Sequence, residues 1–167
     1  MKNSLICGLL FFALVLNSSG CYSLKGISIA PEVATFYVAP FTNAAPNAPA
    51  NAALDFSELF KNKVRTETRL RFTDASPDVE FRGTLNGFRT TSEAPQPNEL
   101  TAFNRLTVTY SVEYIDHSNE KNNWKNNFSF FANYANDQNL LDVQDALLAV
   151  INKQISEDIF NKAFSNW

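Results

Sequence analysis

The chain carries few of the side chains that do covalent or metal chemistry. It has one histidine, His117, and two cysteines, Cys7 and Cys21, in 167 residues. A His/Cys metal site needs three or four ligands, and a serine triad needs a base oriented by an acid. His117 lies in the polar stretch from Asp116 to Asn123, and reads as a solvated loop residue. Asp74, Asp78 and Glu80 are close in sequence, but they read as a turn running into a strand. Five glycines, scattered through the chain, form no phosphate-cradling loop. The expectation is therefore no enzyme: no catalytic residue, no metal ligand and no dissociable cofactor.

One residue does suggest a covalent modification. Met1-Lys2-Asn3 supplies a positive start, and Leu5 to Leu16 is an unbroken apolar run of twelve residues. Crossing the hydrocarbon core as a helix takes about 20. A short apolar core behind a basic start is the pattern of a secretory signal peptide, here residues 1–20. The following Asn17-Ser18-Ser19-Gly20-Cys21 resembles the lipobox of bacterial lipoproteins, with Ser18 where Leu is usual. In that pattern the signal is cut before the cysteine, whose thiol takes diacylglycerol and whose amine is acylated, palmitate being the expected chain. Two other readings of the residues stand beside it, a free thiol after a simple signal or an uncleaved anchor. Cys7 leaves with the signal, so Cys21 has no disulfide partner. Several acyl chains hold a protein far more firmly than one. Tyr22, where an inner-membrane retention signal would place Asp, directs the lipoprotein to the outer membrane, facing the periplasm. No later segment is long and apolar enough to span a bilayer.

The remaining residues, 21–167, read as a single domain. Hydrophobic residues at 45%, with 15 Phe, exclude a disordered chain. Lys+Arg 14 against Asp+Glu 17 leaves a net charge of −3, which argues against a nucleic-acid partner. After an extended lead-in over 22–31, Thr35 to Phe41 is a first strand. Residues 42–53, with Pro46 and Pro49, are expected as a loop. Phe56, Leu59, Phe60, Val64 and Leu70 follow at helical spacing, with Asp55 as the expected N-cap. The other faces of the same helix carry Lys61, Lys63, Arg65, Arg69 and Arg71. They suit a solvated face or an anionic partner.

Three alternating segments come next, Val79 to Asn86, Leu106 to Tyr114 and Asn127 to Tyr134. Alternation with period two gives strands with one buried and one polar face. Residues 90–100, with Pro95 and Pro97, and residues 116–123 read as the connecting loops. Val143, Leu147, Val150, Ile151, Ile155, Ile159 and Ala163 form a last helical stripe, with Asp142 and Asp145 at its cap and first turn. The expected fold is α+β, a two-layer sandwich in the order strand-helix-strand-strand-strand-helix. Its four-stranded, mostly antiparallel sheet would have both helices packed on one face.

The polar face of that sheet is built from Thr84, Asn86, Thr107, Thr109, Ser111, Asn127, Ser129 and Asn133. Hydroxyls and amides lose water at lower cost than charges when they find hydrogen bonds. Such a face suits either water or the polar wall of another protein.

Cys21 followed by Tyr22-Ser23-Leu24-Lys25-Gly26 resembles the start of the LptE family of lipopolysaccharide-assembly lipoproteins. The resemblance extends through Pro40-Phe41, Phe56-Ser57-Glu58-Leu59-Phe60, Thr68-Arg69-Leu70-Arg71 and Asp78-Val79-Glu80-Phe81-Arg82-Gly83-Thr84-Leu85. It departs from the family in lacking a Gly between Cys21 and Tyr22, and in the middle of the chain. It implies a non-catalytic plug inside the LptD β-barrel of the outer membrane, supporting barrel assembly and lipopolysaccharide delivery. From charge alone, Arg82, Arg89, Arg105, Lys121 and Lys125 are the candidate lipopolysaccharide contacts, because phosphates favour Arg and Lys. The competing expectation is a periplasm-facing lipoprotein that binds a small apolar ligand or a peptide.

Overall fold

The computed structural model describes Gly26, residues 28–93 and residues 102–165. The signal peptide, Cys21, half of the lead-in and the segment with Pro95 and Pro97 lie outside the described residues.

The first strand is broken in two by its own proline. Thr35–Val38 forms β1 and Thr42–Asn43 forms β2, both pairing in parallel with the same neighbour. Val38 lies opposite Phe81 but Thr42 lies opposite Thr84, so the first strand holds one residue more than its partner across the break. Pro40 has no N–H to give the ladder. Phe41, next to it, donates its N–H to Ser57 Oγ at 2.8 Å. Residues 42–43 are thus strand, where the sequence predicted loop.

Helix α1 spans Ala52–Glu67. It starts four residues earlier than it would with Asp55 as the cap, with Asn51 at the N-cap. Pro49 ends just ahead of it, so Ala52 and Ala53, strong helix formers, join the first turn and bury. The helix stops at Thr68, whose Oγ1 donates to the Val64 carbonyl at 2.7 Å and accepts from Leu70 N–H at 3.1 Å. Leu70 is therefore buried beyond the helix, leading into β3, Arg71–Phe72.

The long strands are β4, Val79–Glu93; β5, Phe103–Asp116; and β6, Trp124–Ala135. They form antiparallel pairs, and a short 3-10 turn over Glu120–Asn122 closes the β5–β6 hairpin. Thr90 to Glu93 belong to β4 and not to the loop that the sequence predicted. The sheet order is β3-β1-β4-β5-β6, with β2 also against β4. The sheet is therefore mixed and has six strands. The two extra ones, β2 and β3, are two residues each.

Helix α2 covers Leu140–Phe164, with Asn139 Oδ1 accepting from Leu141 N–H as the cap, in place of Asp142. Its buried line is Leu148, Ile151, Ile155, Ile159, Phe160 and Phe164, with Asn152 and Ser156. Val150, placed in the stripe by spacing, is instead 58% exposed.

The core lies between these helices and one sheet face. Phe41 rests over Gly83, where an added Cβ would fall inside its ring, and packs on Phe56 with ring centroids 5.4 Å apart. Phe56 stacks on Tyr110 at 4.2 Å. Burial pushes the Tyr110 phenol up, so it stays protonated and donates to Asn152 Oδ1 at 3.3 Å.

Two carboxylates fasten the sheet ends. Asp78 Oδ2 accepts from the N–H groups of Ala34 and Thr35 and from Thr35 Oγ1, all within 2.9 Å. The Ala34 bond leads in holding its carboxyl below the usual range. Asp116 is buried, which raises its pKa, but donors from Ser118, Asn122 and Asn119 outweigh burial and hold it low.

Candidate interaction surface

The sheet face turned away from the helices is set by the register of β4, β5 and β6. The pairings put Thr84, Ser111 and Asn127 in one row, Gly87, Thr109 and Ser129 in the next, and Arg89, Thr107 and Phe131 in a third. The register shifts between Leu85 and Gly87. Asn86 is the extra residue of this bulge, and the strand resumes with Phe88 in the core. Simple alternation over residues 79–86 misses that shift. The sequence signal available was Phe88 itself, one place out of step.

Two consecutive rows of this face carry no charge. Their hydroxyls bond to one another: Thr42 Oγ1 and Thr84 Oγ1 lie 2.9 Å apart, and Thr109 Oγ1 donates to Ser129 Oγ at 3.0 Å. Ser129 Oγ in turn donates to the Val108 carbonyl. Polar groups already paired within the surface can meet a second polar wall without being stranded, because a hydroxyl oxygen keeps spare acceptor capacity.

The charges stand at the two ends. At the hairpin end, Arg82 lies opposite Glu113, which lies opposite Lys125. Arg82 also grips Glu80 through Nε and Nη2 at 2.7 and 3.0 Å. Lys121 sits exposed in the 3-10 turn nearby. At the far end, Arg105 donates to Asn133 Oδ1 at 3.1 Å, pairs with Glu93 at 3.4 Å and lies over the Phe131 ring at 4.2 Å. Arg89 is one row inward. From Glu113 to Arg105 is eight residues along β5, or about 26 Å. The structure therefore brings Arg82, Lys125 and Lys121 to one end and Arg89 and Arg105 to the other. The five do not converge on one site.

His117 and the acidic residues form no reactive cluster. His117 is half exposed, with Nε2 3.6 Å from Glu80 Oε2. Among the described residues no group of three His, Cys, Asp or Glu side chains is placed to hold a metal ion. Asp78, close by in sequence, is occupied in joining β4 to β1.

One cation of α1 is buried, where spacing suggested a solvated face. Lys63 Nζ lies 2.8 Å from Glu67 and 2.6 Å from Glu157 of α2, above the Phe160 ring at 4.9 Å. Burial lowers its pKa, but hydrogen bonds to both glutamates outweigh that and hold it above the usual lysine value. It ties the helices together behind the sheet.

Residues 33–163 match the model of a family described as LptE, lipopolysaccharide-assembly. The chain belongs to the LptE family. Among solved structures, it is similar to the protein CT253 of Chlamydia trachomatis, with a TM-score of 0.51 at 11% identity, over 78% of this chain and 97% of that one. That likeness is one of fold. The rare lipoprotein B of Shewanella oneidensis gives a TM-score of 0.48 at 10% identity, over 75% of this chain and 89% of that one. Lipoprotein GNA1162 of Neisseria meningitidis gives 0.43 at 16%, over 77% and 99%. No curated protein matches the sequence. Within this LptE-family chain the segment Asp78 to Leu85 now has a physical account. Its acid clamps β1, its apolar residues enter the core, and Gly83 leaves room for Phe41.

Proposed function

We propose that this protein is a non-catalytic lipopolysaccharide-assembly lipoprotein that plugs and supports an LptD-like β-barrel. It is tethered by a covalent lipid on Cys21 to the periplasmic side of the outer membrane. The family match over residues 33–163 carries this reading. The uncharged middle of the open sheet face supports it, because the lumen of a transmembrane barrel is polar. In this reading the rows around Thr84, Thr109 and Ser129 meet the barrel wall. The cationic ends, with Arg82, Lys121 and Lys125 at one and Arg89 and Arg105 at the other, are the places where lipopolysaccharide phosphates would be met.

The ligand-binding alternative gains little from the geometry. A cleft of about 340 Å³ lies at the hairpin end, where Lys162, Ala163 and Phe164 of α2 meet Tyr114 and Trp124 of the sheet. Asp116, Asn122 and Lys162 share its lining, so it is not the apolar cavity that a small apolar ligand would need. The deciding test is a detergent pull-down on the tagged full-length chain from gently solubilised envelopes. Co-purification of a large β-barrel protein is expected, and recovery as a free monomer would contradict the plug role. Replacing Cys21 by Ala is expected to abolish incorporation of labelled palmitate; continued labelling would refute the anchor.

A further inference from the structure

The cleft at the hairpin end gathers polar groups that the fold itself leaves unused. Its walls come from the lead-in at Ser28, the end of β5, the start of β6 and the last turn of α2. The lead-in is fixed there: Ser28 N–H donates to the Phe164 carbonyl, and Arg69 Nη2 to the Ala30 carbonyl, both at 2.7 Å. Tyr114 is 6% exposed, and its hydroxyl has no hydrogen-bond partner among the described residues. No side-chain N or O among the described residues is both sealed from solvent and unpaired. The hydroxyl therefore reaches solvent, through the cleft that Tyr114 lines. Burial first, and the Asp116 carboxylate second, push its pKa up, so at neutral pH it is a protonated, unused donor.

Both charge signs line the same space. Lys162 is exposed and makes no ion pair among the described residues; its Nζ stands over the Trp124 ring, 5.3 Å from the centroid. Trp124 in turn stacks on Tyr114 at 5.5 Å. Asp116 supplies the opposite charge. Its Oδ1 takes three donors, two from Ser118 and one from Asn119, whereas Oδ2 takes only Asn122 Nδ2. Oδ2 has room for one more donor, and Asn122 keeps its own carbonyl oxygen as an acceptor. An anion alone would meet Asp116, and a cation alone would meet Lys162. The lining therefore fits a ligand that carries both charges.

Position in the chain selects the source of that ligand. Cys21 is seven residues ahead of Ser28, about 24 Å at full extension. A lipid on Cys21 would therefore keep the cleft within reach of the headgroups around it. Trp and Tyr, apolar in body and polar at the tip, suit that boundary. We propose that this cleft binds the headgroup of a zwitterionic phospholipid with a primary ammonium, seating the domain on the leaflet that holds its anchor. The phosphate meets Lys162 Nζ and the Tyr114 hydroxyl. The ammonium donates to Asp116 Oδ2 and Asn122 Oδ1, and the carbons between them lie along Trp124. The choice of a lipid rests on the anchor proposed above; the pairing of charges in the cleft does not.

The test titrates the full chain, purified in a maltoside detergent, with glycerophosphoethanolamine, the headgroup without its acyl chains, and follows binding by phosphorus NMR. Because this probe is soluble, the result stands apart from the palmitate labelling of Cys21. Binding is expected to be at least tenfold tighter than that of glycerophosphoglycerol, which lacks the ammonium, or glycerophosphocholine, whose ammonium has no N–H. Tyr114→Phe keeps the ring contacts and removes only the unpartnered hydroxyl. It is expected to weaken binding about fivefold with the melting temperature unchanged. Lys162→Gln is expected to weaken it about tenfold. No saturable binding, equal binding of the three headgroups, or full binding in either variant would overturn the proposal. So would free glycine competing as well as the headgroup, since the cleft would then take any small zwitterion.

Discussion

Gly83 is the residue at which a single atom matters most. The Phe41 ring occupies the space that a Cβ would need, and that ring is held between Phe56 and Tyr110. Gly83→Ala is therefore expected to destabilise the fold by about 1–3 kcal/mol, as overpacked cores do. Thermal unfolding followed by circular dichroism measures it, and an unchanged midpoint would show that Phe41 can move aside freely. Asp78 gives a pH signature. Its folded pKa lies below its unfolded value, so the unfolded chain binds more protons as pH falls past about 4. Its contribution is fully present above that point and is lost on further acidification. Denaturant midpoints measured from neutral to acid pH are expected to fall less steeply in Asp78→Asn, which starts lower. Parallel curves would remove Asp78 from the account. The role of Gly83 was open to reading only as a motif, because Phe41 meets it from 42 positions away in sequence.

The elements divide by length. Three long strands announce themselves by period two, because each buries one face and wets the other. β2 and β3 are two residues each, too short to show any period, and they exist because β4 and β1 offer them a ladder. The caps differ from the sequence expectation for a local reason. Asp55 and Asp142 are good capping types, yet Ala52 and Leu140 extend each helix one turn or less ahead of them. The Thr, Ser and Asn face was legible residue by residue, whereas its bulge at Asn86 and the separation of its cations into two ends needed the register. Lys63 needed the tertiary fold, since Glu157 comes from the other helix. Replacing Lys63 by Met removes the buried charge, keeps packing on Phe160 and leaves two glutamates that reach water. Removing one side of a buried ion pair destabilises because the charges left behind lose their partner, and the partial exposure of both glutamates tempers that cost here. A loss of about 1–3 kcal/mol in chemical denaturation is expected, and an unchanged midpoint would show that Lys63 does not help hold α1 on α2.

For the molecule as a whole, the two layers play different parts. The helices and one sheet face make the core, with Phe56, Tyr110 and Ile155 fully buried in it, and the other face is left as a polar panel with its charges at the ends. The chain belongs to the LptE family, and the plug role proposed above would have one of these sides held against another protein. Which side is held is the central claim, and site-specific photo-crosslinking in intact cells addresses it most directly. A photoreactive residue would be placed at Thr109, in the uncharged middle of the open face, or at Lys153, exposed on α2. An adduct to a large β-barrel protein from position 109, with none from 153, is the expected result. An adduct from 153 alone, or from neither in a chain that remains folded and lipidated, would contradict the account.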